Sequence, residues 1–410
     1  MCAAIIALLL VGLVMATVAT AGEAGGPPVT AQAPAPPPSE PTLTDWARPR
    51  PPFSLAGRTG RGQLLFDLGV AADFVANVVQ DNVDKADAGT FAGRENLFFP
   101  REIELSLFGQ IDPYARGEIR IEAAEEFEDG ERDLHLGLAE AHLTLLALPY
   151  GTQVKMGKMR NRFGLLNQVH FHDLPQTDRP NVLIRFFGEE GLTESGAEAT
   201  WVPDLPFYLE ALIGLFNGDN EDAFGRSSLK VPLVTGRLRT FVELGSLGAI
   251  QVGASAANGQ TEERRTQTFA GYDVKYKLTP EGWRHPLLTL ASEGIWSIRE
   301  AEVDEATGPE HRTLRRFGWY IYGEVQPWRR WAGGLRYDYT QLLEEPGREW
   351  AIGPYVAFWA SEFLRFRLGY KHTRRDNRDS FNANDASGRH ADEVFFQVTF
   401  ILGAHPAHPF

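Results

Sequence analysis

The chain has 410 residues, 43% of them apolar and 23% charged, and a formal charge of −14 at pH 7. That acidity excludes a general nucleic-acid binder, which would be basic. Past residue 21 no apolar run reaches the roughly 20 residues that a transmembrane helix needs. The only cysteine is Cys2, so the chain beyond it can form no disulfide and no cysteine-ligated metal site.

Ile5 to Ala21 is mostly apolar and ends in Ala19-Thr20-Ala21 before Gly22. This reads as the apolar core and small-residue cleavage site of a signal peptide over residues 1–21. No basic segment precedes it, so a retained membrane anchor is the alternative. Residues 22–62 are rich in Pro, Ala and Gly, with Ala33-Pro34-Ala35-Pro36-Pro37-Pro38 at their centre. Such a stretch is extended and polyproline-like, and is read as a periplasmic spacer.

From residue 63 onward one unit recurs: an alternating segment, then a turn. Leu64, Phe66, Leu68, Val70, Ala72, Phe74, Ala76 and Val78 share one face, and Gln63, Asp67, Gly69, Asp73 and Asn77 the other. A period of two places alternate side chains on opposite faces of a strand; helical spacing would mix the two sets. The rule repeats along the chain. Ile103, Leu105 and Leu107 oppose Glu102, Glu104 and Ser106, and Leu364, Phe366 and Leu368 oppose Arg365 and Arg367. The predicted strands are 63–80, 101–111, 114–124, 135–146, 152–160, 194–202, 206–216, 229–243, 247–257, 266–278, 286–299, 315–326, 331–341, 349–360, 363–373 and 392–403.

The connections alternate in length. Odd ones are mostly long and polar, such as 81–100, 125–134, 161–193 and 300–314, and even ones mostly short, such as Asp112-Pro113 and Ser361-Glu362. Long outer loops and short periplasmic turns characterise outer-membrane barrels, and this parity puts both chain ends in the periplasm. A soluble sandwich has no reason to keep it. Nor could a dry sandwich core hold the Arg and Glu of the polar rows, whereas a water-filled lumen can. The fold class predicted is all-β: a transmembrane antiparallel barrel of about sixteen strands over residues 63–410, with lipid as its surroundings.

Sixteen strands with a long connection after the fifth resemble the general and phosphate-selective porins. Gly157-Lys158-Met159-Arg160 followed by Phe163-Gly164 is similar to the strand-five ending of the phosphate-selective group. The Phe-rich last strand and Phe410 resemble the assembly signal of outer-membrane proteins, which alternatively ends at Phe400. The resemblance implies a third loop folded into the lumen to narrow the pore, and a homotrimer in the outer membrane of a Gram-negative-type cell.

A constriction needs charged side chains held close to the solute in a poorly screened space. The candidates on or beside the loop are Arg160, Arg162, Asp173, Asp178, Arg179, Arg185, Glu189 and Glu190. On the facing wall they are Arg116, Arg120, Arg237, Arg239, Arg336, Arg365, Arg367 and Lys371. Arg237/Arg239 and Arg365/Arg367 form two-residue ladders that could pass an anion along, unless each arginine is paired with a lumen carboxylate such as Glu102, Glu104, Glu118, Glu122, Glu140 or Glu243. His170, His172 and Asp173 are a candidate metal set, with His142 or Glu140 to complete it, against ordinary loop hydrogen bonding. No nucleophile motif accompanies His142 and Glu140, so no enzyme and no cofactor is expected. The function predicted is a channel for small hydrophilic solutes or ions. A solute-specific porin for phosphate-like anions or metal ions, and a non-conducting adhesin barrel, are the alternatives.

Overall fold

A computed structural model of the chain describes residues 65–80, 90–91, 94, 96–128, 131–305, 308–343, 347–377 and 390–403. The expected signal peptide and spacer, and His405, His408 and Phe410 of the tail, lie outside the described residues.

Sixteen strands form one closed antiparallel barrel in which each pairs with its sequence neighbours and β1 pairs with β16. They are β1 (Leu65–Val79), β2 (Leu97–Asp112), β3 (Ala115–Glu128), β4 (Glu131–Leu148), β5 (Thr152–Arg160), β6 (Thr193–Trp201), β7 (Tyr208–Phe216) and β8 (Leu233–Glu243). There follow β9 (Ala249–Gln260), β10 (Thr266–Leu278), β11 (Leu288–Glu305), β12 (Gly308–Trp328), β13 (Trp331–Gln341), β14 (Gly347–Ser361), β15 (Leu364–Asn377) and β16 (His390–Gly403). Closure satisfies the backbone donors and acceptors around the whole ring, the condition for strands to cross a bilayer.

The alternation read from sequence becomes inside and outside. Glu102, Glu104, Ser106, Asp73 and Asn77 are buried toward the lumen, whereas Leu68, Val78, Ile103, Ile119, Leu238 and Ile321 stand exposed on the outer surface. Exposed aromatic rings gather at the short-turn end: Tyr114, Tyr150, Trp201, Phe207, Trp283, Trp328 and Phe363. An amphipathic girdle of that kind belongs at a membrane–water boundary.

Two expected long loops are corrected. β3 runs on to Glu128 and β4 starts at Glu131, while β11 runs to Glu305 and β12 starts at Gly308. The charged stretches 125–134 and 300–314 are thus largely paired strand. Strand pairing requires only backbone hydrogen bonds; apolar alternation is imposed where lipid covers the outer face. A strand that leaves the lipid can therefore lose its apolar row and keep its partner.

The lumen is also drier than its arginines and carboxylates suggest. Phe216, Leu233, Phe269, Ile295, Tyr320 and Tyr322 point inward from β7, β8 and β10–β12 and build one side of an apolar core. Its other side comes from residues 161–192. Polar lumen residues line the remaining wall and are interspersed on these strands as well, among them Arg237, Gln251, Asp273 and Glu293.

Leu238 lies midway along β8 and is 55% exposed on the outer surface. Leu238→Arg places a cation against hydrocarbon and should destabilise the barrel by about 2–4 kcal/mol. Equilibrium unfolding in urea from lipid vesicles measures it; an unchanged midpoint would mean that this face does not meet lipid.

Candidate functional site

The connection between β5 and β6, residues 161–192, is held inside the barrel. Its neck is closed by Asn167, fully buried, whose side-chain amide donates to the carbonyls of Asn161 (2.8 Å) and Leu192 (3.0 Å) and accepts from Leu192 N–H (2.8 Å). Just beyond the neck the chain lies tight against β11. Gly164 has φ +63°, and a Cβ there would overlap the Glu293 carboxylate. Its N–H donates to Ser255 Oγ (3.1 Å), and the next N–H, of Leu165, donates to Glu293 (3.1 Å). Only glycine meets both conditions, since it tolerates positive φ and has no side chain to clash.

Farther on, Asn181–Phe187 forms the short helix α1. Val182, Leu183, Phe186 and Phe187 are completely buried, with Phe187 edge-on to Phe163 and Phe269 at 5.3 and 4.9 Å between ring centres. Each such side chain contributes about 1.5–3 kcal/mol when removed from water. This apolar patch fastens the loop to one half of the wall.

Arginines and Lys371 fasten it at further points around the wall. Arg101, paired with Asp73 (2.7 Å), donates to the carbonyls of Thr177 and Phe171. Arg367 donates to Leu174 C=O at 2.8 Å, Arg365 to His172 C=O, and Arg237 to Gly164 C=O. Arg336 reaches Asp178 (2.8 Å) and its carbonyl (2.8 Å) while held by Asp338 (2.7 Å). Lys371 completes this knot, 2.6 Å from Asp178 and 2.9 Å from Asn181 Oδ1. Burial raises the Asp178 carboxyl, but Arg336 and Lys371 outweigh it and hold the group well below the usual carboxylate range.

His170 and His172 turn toward β2, their rings stacked 5.8 Å apart. His170 Nδ1 lies 2.8 Å from Glu104 and 3.8 Å from Glu102, and its Nε2 3.3 Å from Glu140. Burial and the Arg160 guanidinium disfavour its proton, yet the three carboxylates hold its pKa up at about 9. Burial likewise opposes the charged form of His172, and Asp173 and Glu102 raise it to about 10.

The candidates therefore divide. Arg160, Arg162, Asp173, Arg116, Arg120 and Arg239 line one cavity of about 300 Å³ on the short-turn side of the loop. Arg162 pairs with Glu198 (Nε–Oε1, 2.6 Å), Arg239 with Glu210 (2.9 Å), and Arg120 with Glu104 (3.0 Å) and Glu118 (2.6 Å). Arg160 binds Glu190 (2.7 Å), and both also line a second cavity of about 270 Å³ on the long-loop side. Asp178, Arg237, Arg336, Arg365, Arg367 and Lys371 instead hold the loop, and Arg185 pairs with Glu349 at 3.0 Å. Arg179 is buried and donates to Leu166 and Val169 C=O (2.9 and 2.7 Å), tying the loop to itself, and Glu189 is exposed. Neither two-residue ladder stands free in the lumen, because Arg237, Arg365 and Arg367 cap backbone carbonyls of the loop.

The lining of the first cavity holds more cations than carboxylates, although Arg120, Arg160, Arg162 and Arg239 each pair with a glutamate outside it. Arg116, Arg120, Lys155, Arg160, Arg162, Arg239 and Lys275 face Glu118, Glu140 and Asp173. Lys155 and Lys275 escaped the sequence reading, although Lys275 alternates with Val274 and Tyr276 as a lumen-facing residue should. The anchors Asn167, Arg101 and Glu293 carry no comparable signal, because their partners are set by how residues 161–192 fold into the lumen.

A protein of Aquifex aeolicus (strain VF5), described as uncharacterized, is 31% identical to this chain, covering 87% of it and 78% of that protein. No family model matches. Among solved structures, the outer membrane channel DcaP of Acinetobacter baumannii aligns with a TM-score of 0.58 at 11% identity, over 85% of this chain and all of that one. The trimer form of OmpT, an outer membrane protein of Vibrio cholerae, aligns at 0.52 and 9% identity, over 82% of this chain and 99% of the other. The anion-selective porin from Comamonas acidovorans aligns at 0.51 and 10%, over 82% and 98%. The fold is that of the outer-membrane porins.

Asp178→Asn should leave Lys371 and Arg336 under-compensated at a buried point and cost about 3–5 kcal/mol. Because the folded-state carboxyl is depressed, its contribution is present above the ordinary value near pH 4 and lost only as pH falls through the lower folded value. Thermal unfolding of wild type and variant should thus differ equally at pH 7 and pH 5; a difference that vanished by pH 5 would contradict the anchor.

Proposed function

This chain belongs to the same family as the Aquifex aeolicus protein, and for it we propose an outer-membrane porin that conducts small hydrophilic solutes and favours anions. The observation that carries the anion preference is the cavity beneath the inserted loop, which seven Lys and Arg side chains line with only three carboxylates, while Glu104, Glu198 and Glu210, the partners of Arg120, Arg162 and Arg239, are buried outside that lining. In a narrow, low-dielectric passage such an excess concentrates anions and repels cations. Arg160 contributes to this cavity and to the second one, where Glu122, Glu190, Glu194 and Asp219 join it and Lys158. A solute entering from the long loops would pass an acidic rim before the basic chamber, with Arg160 common to both.

The bulk of the loop limits what can pass. Its apolar core and arginine anchors fill much of the lumen beside the cavity, so the passage admits small solutes only. The long-loop end faces outward in this reading, and the described chain ends belong to the periplasmic side. A homotrimer is the proposed assembly.

Single-channel current across a planar bilayer under a salt gradient tests the proposal. The reversal potential should have the sign of anion selectivity. Arg162→Ala and Lys275→Ala should each move it toward zero. The shift should be larger in 0.01 M salt, where charges act over about 30 Å, than in 1 M, where they act over about 3 Å. A protein that inserts and never conducts would overturn the porin reading; cation selectivity would overturn the anion preference alone.

A further inference from the structure

The junction of the loop with β2 holds a cluster that loop anchoring does not account for. Both oxygens of Glu102, Oε2 of Glu104 and Nδ1 of His170 are buried and lack a hydrogen bond of ordinary geometry. Buried carboxylate oxygens left so are costly, and several at one point call for an explanation. The three side chains offer ligand atoms that all lie within 4.8 Å of one another. His172 adds a fourth donor, its Nδ1 3.8 Å from Glu102 Oε2.

We propose that Glu102, Glu104, His170 and His172 bind one divalent transition-metal ion, zinc or a metal of similar preference, and that this ion staples the inserted loop to the barrel wall. Donors bound tetrahedrally at 2.0–2.1 Å sit about 3.3 Å from each other. The separations here, 2.8 Å from His170 Nδ1 to Glu104 Oε2 and 3.8 Å for the contacts of both imidazoles with Glu102, bracket that distance. Two imidazoles with two carboxylates suit zinc and its neighbours and are a poor cage for calcium or magnesium, which take oxygen donors. Two glutamates also neutralise a doubly charged ion.

The surroundings aim these donors. Oε1 of Glu104 is already taken by Ser106 Oγ (2.6 Å) and Arg120 (3.0 Å), which leaves Oε2 for the ion. The far nitrogen of each imidazole faces a second carboxylate: His170 Nε2 lies 3.3 Å from Glu140, and His172 Nε2 3.1 Å from Asp173. Carboxylate, imidazole and metal in line is the arrangement that orients histidine ligands. Asp173, part of the set expected from sequence, is thus an outer partner. Glu102 and Glu104 of β2 take the inner positions.

The site does not depend on transport. Purified full-length protein in detergent, stripped with chelator and titrated with Zn²⁺, should retain one equivalent per chain through gel filtration. Loading with Co²⁺ should give the intense visible bands of a tetrahedral site. Glu102→Gln and His170→Ala should abolish retention, and Glu140→Gln should weaken it about 10–100-fold. Heat-dependent gel mobility confirms that each variant is folded. A His405→Ala/His408→Ala double variant should bind as wild type does. The proposal fails if the folded wild type retains no metal, if folded Glu102→Gln and His170→Ala bind as tightly as wild type, or if the tail variant removes the bound ion.

Discussion

A polypeptide that runs irregularly at membrane depth must have its backbone polar groups satisfied by protein or water, since lipid offers nothing. Closure of sixteen strands does this for the wall. It does nothing for residues 161–192, which lie inside the barrel as turns and two short helical segments. Their carbonyls are met from the wall: Arg101, Arg237, Arg336, Arg365 and Arg367 each donate to at least one of them. Much of the lumen chemistry follows from this requirement, and the arginines that look most like an ion path are largely committed to it.

Fixing the loop divides the lumen by character. An apolar patch forms against part of β7–β12, where α1 presents Val182, Leu183, Phe186 and Phe187 to inward-facing Phe269, Ile295 and Tyr320, beside the buried charges Arg237, Asp273 and Glu293 of the same strands. Cations of β3, β5, β8, β10 and the loop itself line one chamber on the short-turn side. In the proposed reading, selectivity is a remainder: what stays accessible after the loop has been held in place. Anchors and chamber residues are neighbours, as when Arg120 both lines the chamber and holds Glu104 beside His170. A change at one therefore reaches the other within one or two contacts.

The histidine cluster fits the same economy of space. Glu102 and Glu104 point inward from β2 because of the strand period, and His170 and His172 reach them only because the loop enters the lumen. A bond between loop and wall at this point lies opposite the apolar patch of α1. The loop is thereby held on both sides of the lumen.

Sequence alone determined the wall. The period of two is a local property of an extended chain, and lipid on one side with water or polar protein on the other stamps it on every strand; the strand number and the lumen-facing identity of Glu102, Arg237 and Arg367 were legible for that reason. Where lipid ends the stamp ends, which is why the hairpins joining β3 to β4 and β11 to β12 read as loops. Tertiary structure decided which lumen residues meet. Asp73 is joined to Thr399, Asp178 to Arg336 and Lys371, and Glu293 to Leu165, across separations no local pattern encodes. The helix α1, only seven residues long, was invisible for the same reason: its apolar face exists to match a wall that forms from strands distant in sequence.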